Sequence, residues 1–289
     1  IHPAVDLPVG KNLQDHLAVL IFWSRPQNTS RFRDSMRFDR MAVGMIRAYL
    51  FGTGPATIVP GGLHAFVKTR PDLAVPDIEF MFRGLPSHAH MWFPGIKRPY
   101  VDGFGIRPTL LHPESRGEIL LASIDPRKPM RIVYNFFTAP NDLPALREGF
   151  RRARDVGNQT PLESYRGVET APGDGVRTDA EIDAYIRRTA ITAHHPCGTC
   201  AMGPDGVLDP DLKVKGVEGL RVVDASLMPQ ATARRASSMC STGAPHSAMM
   251  PSPINLLIMP LWAFISADMP AKYSFSSATS SCEIGRAHV

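Results

Sequence analysis

From Ala65 to about residue 140, short strand-like segments follow one another with only turns between them, and this spacing constrains the fold of the 289-residue chain more than any other feature. Ala65-Phe66-Val67 leads into the turn Thr69-Arg70-Pro71-Asp72. Asp77 to Phe82 alternates polar and apolar residues, as a half-buried strand does. Arg107–His112 and Glu118–Ser123 read as two further strands joined by Pro113-Glu114-Ser115-Arg116-Gly117. A parallel crossover needs a dozen or more residues, usually a helix, so these connections predict an antiparallel sheet. The interval Pro86 to Tyr100, carrying His88, His90, Trp92 and Phe93, reads as a loop.

Helices flank this region. Leu17 to Trp23 is a continuous apolar run, short enough for one buried strand. Phe38 to Phe51 reads as an amphipathic helix with Met41, Met45, Ile46 and Leu50 on one side, ended by Gly52, Gly54 and Pro55. Another starts near Asn141 or Asp142, either of which can cap it, and runs to Val156-Gly157. Thr178-Asp179-Ala180-Glu181 is a capping-box pattern that opens a further helix through Ile182, Tyr185 and Ile186. The fold class is α+β: an antiparallel sheet with flanking helices.

Composition narrows the function. An apolar fraction of 44% and a charged fraction of 20% belong to a globular chain with a sizeable core. The formal charge of +5 is mild, and its densest cluster, Arg147, Arg151, Arg152 and Arg154, has the spacing of a solvated helix face. No nucleic-acid motif accompanies it, so nucleic acid is not an expected partner. Four cysteines are too few for a disulfide scaffold. With no visible signal at Ile1 to Asp6, this points to the cytoplasm. The longest apolar stretch, Ile254 to Met269, contains Pro260 and is short for a membrane span. The absence of an initiator methionine suggests a start inside a longer protein.

The densest chemistry is His194-His195-Pro196-Cys197-Gly198-Thr199-Cys200. Three readings compete. His195, Cys197 and Cys200 could ligate zinc, but a closed site needs four ligands, and Cys240, His246 and Cys282 have no paired spacing. Cys197 and Cys200 could form a redox dithiol, but no strand–helix unit surrounds them and Pro196 and Gly198 suggest a loop. A neutral imidazole could act as a general base near neutral pH.

Context separates the three. His195 to Gly203, Val207 to Val217 and Gly219 to Pro229 together resemble the C-terminal motif of the glucose–methanol–choline oxidoreductases. Leu7-Pro8-Val9-Gly10-Lys11-Asn12-Leu13-Gln14-Asp15-His16 is similar to that family's junction between flavin and substrate domains. Thr69–Asp72, Pro113–Glu118 and Ala122–Arg127 resemble family segments in the same order. The resemblance implies an FAD-dependent enzyme that oxidises a small-molecule alcohol, with oxygen or another acceptor reoxidising the flavin. It implies His195 as the catalytic base that takes the hydroxyl proton and His194 against the isoalloxazine edge. Asp224 and Ala225, after an expected buried strand Leu220–Val223, would contact the cofactor, although Asp224 also suits a helix cap. Asn12 to His16 have sufficient structural reasons in a Gly10-Lys11-Asn12 turn and an Asp15 cap or loop bond.

The implied organisation is a junction at 1–16, a substrate domain at 17–190 and a return segment at 191–230 bearing the histidine. The junction and return segments would belong to a Rossmann-like FAD domain whose N-terminal part is missing. No Gly-x-Gly-x-x-Gly follows a strand here; Gly52-Thr53-Gly54 and Gly61-Gly62 lack that setting, so the chain alone is expected to bind flavin poorly. The family's second active-site residue, His or Asn, follows the Met-Pro pair, but Gln230 to Ser238 contains neither. The atypical tail 231–289 ends in Glu283 to Val289, which reads as translated sequencing adapter, and suggests a shifted frame. Two rival functions remain: a non-catalytic fragment, and a metal or thiol-redox module at His195, Cys197 and Cys200.

Overall fold

The computed structural model describes residues 5–26, 30–57, 63–125 and 127–231. The expected features at Gly61-Gly62, Ile254–Met269, Cys240, His246, Cys282 and nearly all of the atypical tail lie outside these residues.

The expected antiparallel sheet is present, and every strand pairing in it is antiparallel. In chain order its strands are β1 (Leu17–Ala18), β2 (Ile21–Ser24), β3 (His64–Val67), β4 (Ile78–Arg83) and β5 (Gly103–Leu110). A separate two-stranded ribbon pairs β6 (Glu118–Leu120) with β7 (Arg131–Val133). β8 (Glu169–Ala171) and β9 (Ile191–Thr192) complete the main sheet. Its order is β3-β4-β5-β1-β9, with β2 continuing β1 along the same edge of β5 and pairing outward to β8.

Two strand expectations need correction. The run Leu17 to Trp23 is two strands, because Val19 lies opposite Pro108 of β5 and proline has no N–H to return to the ladder. Val19 donates to the Pro108 carbonyl at 3.1 Å, and no reciprocal bond can form. Glu118 onward does not join β5; it pairs with Arg131–Val133 instead.

Helices α1 (Arg31–Ser35) and α2 (Phe38–Phe51) precede the central strands, and α3 (Asp142–Gly157) and α4 (Asp179–Thr189) follow them. α3 and α4 cover one face of the sheet. Leu146 and Phe150 of α3 and Ile182 and Ile186 of α4 pack onto Leu17, Ile21, Trp23, Ile78, Phe80, Ile106 and Leu110. Complete burial of such side chains contributes about 1.5–3 kcal/mol each. α4 opens with the predicted capping box: Thr178 Oγ1 accepts from Glu181 N, and the Glu181 carboxylate accepts from Thr178 N.

The expected caps of α3 are turned to another purpose. Asn141 donates to Glu114, and the Asp142 carboxylate accepts the N–H groups of Glu114 and Ser115 at 2.7 and 3.0 Å. Both therefore hold the loop after β5 rather than the helix end. The arginine cluster of α3 also does more than face solvent. Arg147 pairs with Asp183, Arg152 reaches the carbonyls of Lys68 and Thr69, and Arg154 pairs with Glu169 of β8.

α2 forms where predicted and ends at Gly52 in the left-handed region. Its expected apolar face is not covered by the sheet: Met45, Ile46 and Leu50 are exposed, and only Gly44 is buried, against Pro55. Leu220–Val223 is likewise not the expected buried strand. It pairs only with the short segment 212–214, through the Arg221–Lys213 bridge and the bonds Val214 N to Leu220 O and Val222 N to Leu212 O, and Leu220 and Val223 are exposed. A strand is buried by its neighbours, and no strand among the described residues lies beside this one. Among the described residues, no helix is long and apolar enough to cross a membrane.

Candidate active site

The two segments singled out by their resemblance, 7–16 and 193–203, fold against each other. Gln14 and Cys197 exchange both backbone hydrogen bonds, Gln14 N to Cys197 O at 3.0 Å and Cys197 N to Gln14 O at 2.9 Å. Ala193 N donates to His16 O, and Gly10 N donates to Thr199 O. Gly198, at φ +92°, lies so near Asn12 that a Cβ there would fall 2.2 Å from the Asn12 carbonyl oxygen. Only glycine permits that approach, so the small residue inside Cys-x-x-Cys has a packing reason independent of redox chemistry.

His195 follows β9 and is half-buried. Its backbone N–H donates to Oδ1 of Asp15 at 3.0 Å, and Asp15 is 1% exposed. The loop-bond expectation for Asp15 is therefore correct, and its partner is the candidate base. Oδ2 of Asp15 and Nε2 of Gln14 are buried without a hydrogen-bond partner among the described residues. The Gln14 oxygen accepts from Ala231 N at 2.7 Å, tying the last described residue to the same segment.

His16 is the residue that sequence reasoning left aside. It immediately precedes β1 and is 8% exposed, with its ring 6.3 Å from that of His195 in an edge-on arrangement. Its Nδ1 donates to the Leu110 carbonyl at 3.1 Å. Burial lowers its pKa below the usual histidine value of 6.5; the Leu110 bond and the Asp15 charge oppose that shift, and His195 adds to it. His16 is accordingly neutral at pH 7, with Nε2 carrying the lone pair. One available signal was its position: a histidine opening an apolar strand lies at the rim of the sheet.

His194 is exposed in the left-handed region at φ +63°, where its N–H donates to Thr192 Oγ1. Histidine tolerates this region better than most residues, and the turn directs His194 and His195 differently. Asp224 caps the short 3-10 turn Ala225–Leu227 by accepting from Ser226 N at 2.8 Å, the structural alternative weighed for it. Asp224 is exposed, and Ala225 N has no acceptor among the described residues. A cleft of about 270 Å³ lies between Pro8–Asn12 and Gly198–Val207, and His195 does not line it.

Cys197 and Cys200 are free thiols. Burial, reinforced by the Asp15 charge, pushes the Cys197 pKa up to about 11. A reactive dithiol requires the opposite shift. Among the described residues, no group of three or more His, Cys, Asp and Glu side chains has metal-binding proximity. The remaining zinc-ligand candidates fall outside those residues, as does nearly all of the stretch Gln230–Ser238.

A family model described as GMC oxidoreductase matches residues 113–242. Oxygen-dependent choline dehydrogenase of Pseudomonas aeruginosa (strain UCBPP-PA14) is 39% identical over 232 residues, covering 78% of this chain and 40% of that protein. This chain thus spans about two fifths of the length of the curated relatives it matches. Pyridoxine 4-oxidase from Mesorbium loti superposes with a TM-score of 0.63 at 25% identity, over 81% of this chain and 42% of that one. Formate oxidase of Aspergillus oryzae RIB40, in a study of its FAD modification, gives a TM-score of 0.69 at 24% identity. That superposition covers 80% of this chain and 45% of the oxidase. This chain belongs to the GMC oxidoreductase family.

Proposed function

We propose that this chain supplies the substrate-facing sheet and the catalytic base of an FAD-dependent oxidoreductase acting on the CH–OH group of a small alcohol. The observation that carries the reading is the pair His195 and His16. Two imidazoles share the sheet rim, one half-buried and anchored through Asp15, the other buried and neutral. In this reading residues 17–190 contact substrate, while 1–16 and 191–230 serve the cofactor side.

The residues present suit a flavin. His194 and Asp224 are exposed polar side chains, and among the described residues the Ala225 N–H lacks an acceptor and Gln14 and Asp15 retain orphaned buried polar atoms beside the histidines. His194, Asp224 and Ala225 would contact the cofactor. Bound FAD would supply the hydride acceptor for the alcohol carbon, with oxygen or another acceptor reoxidising it. The chain itself orients the alcohol and moves its proton. His195 accepts the hydroxyl proton as the C–H bond is broken. His16 has committed its Nδ1–H to Leu110, so its Nε2 is left to accept a hydrogen bond from His195 once that ring is protonated. Asp15 fixes the backbone from which His195 projects.

The test is anaerobic flavin reduction by alcohol in the flavin-loaded enzyme and its His195→Ala variant. Reduction should fall by roughly two to four orders of magnitude while the bound-FAD spectrum persists. Reduction at the original rate would remove His195 from the role of base.

A further inference from the structure

The sheet has a second face, opposite α3 and α4, and its strand register shows what stands there. Side chains alternate between faces. The core takes Ile78, Phe80, Ile106 and Leu110, so the other face receives Glu79, Met81, Arg83, Arg107 and Thr109. Ala18 pairs with Thr109, which places Leu20 opposite Arg107 and His16 opposite Leu111 on the same face. His16 and His195 thus stand at one end of this face. Arg107 stands four residues further along β5, about 13 Å away measured along the strands.

Arg107 is half-buried, and its Nε is buried with no hydrogen-bond partner among the described residues. Its guanidinium makes no ion pair among the described residues. Its flanks are apolar: Met81 pairs with it on one side and Leu20 faces it on the other. Beyond Leu20, the Phe22 ring lies flat across Gly103 and Gly105, where added Cβ atoms would meet it at 2.4 and 2.9 Å. On the same face, Glu79 is already bonded to His64 Nδ1 at 2.5 Å. A second cation, Arg83, occupies the adjacent row. Burial of Arg107, with the Arg83 charge in addition, depresses the Arg107 pKa, so the pair lacks the anion that would relieve it. A partly desolvated guanidinium without a carboxylate is left uncompensated, and a ligand carboxylate would supply the missing charge.

We propose that Arg107, backed by Arg83, recognises a carboxylate on the alcohol substrate, so that the enzyme selects hydroxy acids over neutral and quaternary-ammonium alcohols. The planar guanidinium fork matches a carboxylate in two parallel hydrogen bonds. The spacing sets the substrate length. With the arginine side chain reaching back along the face, roughly four to seven atoms separate the carbinol from the carboxylate. The inference rests on the alcohol-oxidising reading for its reaction, but the anion seat stands on the register and burial of Arg107 alone.

Two measurements separate these. In the flavin-loaded enzyme, anaerobic flavin reduction is followed with 6-hydroxyhexanoate, 1-hexanol and choline. The kcat/KM for 6-hydroxyhexanoate should exceed those of the other two by roughly thirtyfold or more, the usual scale of a desolvated ion pair. Arg107→Gln should collapse that ratio, and Arg107→Lys should retain part of it. Equal use of hexanol and hydroxyhexanoate, preference for choline, or an unchanged ratio in Arg107→Gln would overturn the proposal. Independently, calorimetric titration with hexanoate should show binding that Arg107→Gln abolishes. If hexanoate binding depends on Arg107 while no alcohol reduces the flavin, the anion seat stands and the alcohol-oxidising reading falls. If alcohols reduce the flavin but hexanoate binding ignores Arg107, the reverse holds.

Discussion

The backbone N–H of His195 donates to Oδ1 of Asp15 at 3.0 Å, joining residues 180 positions apart in the chain. This bond sets where the candidate base begins, because it fixes the peptide from which the imidazole projects. Asp15→Ala removes the acceptor and leaves space beneath the loop; Asp15→Asn keeps an oxygen in place. Catalytic groups displaced by about 1 Å lose on the order of a hundredfold in rate. Single-turnover flavin reduction should therefore fall by about that factor in Asp15→Ala and by less in Asp15→Asn. Equal rates in Asp15→Ala and the parent would show that the bond is structural only.

Asp15 also lies beside the Cys197 thiol. Its negative charge opposes a second anion, so it adds to the burial that lifts the Cys197 pKa to about 11. The expected outcome is slow alkylation of Cys197 by iodoacetamide at neutral pH, with a midpoint near that value, measured with the other three cysteines replaced by serine. Asp15→Asn should move the midpoint down, though only part of the way, because burial is the larger cause. A midpoint below 8 in the parent would revive the redox-dithiol reading.

The central sheet and the helices that cover it were legible in the sequence because their signals are local. The alternation over Asp77–Phe82, the capping box at Thr178 and the short connections each act within a few residues. What escaped depends on partners far away in sequence. Pro108 interrupts the ladder opposite Val19, which no reading of Leu17–Trp23 alone can reveal. Met45, Ile46 and Leu50 form a periodic apolar side, but periodicity does not say whether anything packs on it. His195 was legible through its motif. His16 was not, because its burial and proximity to His195 arise only when residues 13–16 lie between Gly117 and the 193–197 segment.

His16 carries a pH dependence whose sign follows from its lowered pKa. The folded state holds the ring neutral, whereas the unfolded chain protonates it near 6.5. Below that pH the unfolded state binds the extra proton, so this contribution to stability is intact above about 6.5 and is lost as pH falls through the folded pKa. Melting temperatures between pH 7.5 and 5 should decline more steeply in the parent than in His16→Gln, which has no such proton to bind. Parallel declines in the two proteins would contradict the burial-driven shift.

Gly157, the last residue of α3, is a tighter packing point than its place at a helix end suggests. A Cβ there would sit 2.2 Å from Cη2 of Trp23 and 2.5 Å from Cζ2. Trp23 is 1% exposed and stacks on Phe104 at 5.3 Å, so the ring cannot simply step aside. Gly149 offers a control on the same helix, because a Cβ there would meet side-chain atoms of Ile78 at 3.0–3.1 Å. In both positions alanine gains up to about 1 kcal/mol of helix propensity. At Gly157 the overpacking cost of roughly 1–3 kcal/mol or more exceeds that gain. Urea denaturation should show Gly157→Ala clearly destabilised and Gly149→Ala closer to the parent, with unchanged m-values. If Gly157→Ala proves as stable as the parent, Trp23 must occupy another rotamer, and its packing beneath α3 would need to be redrawn.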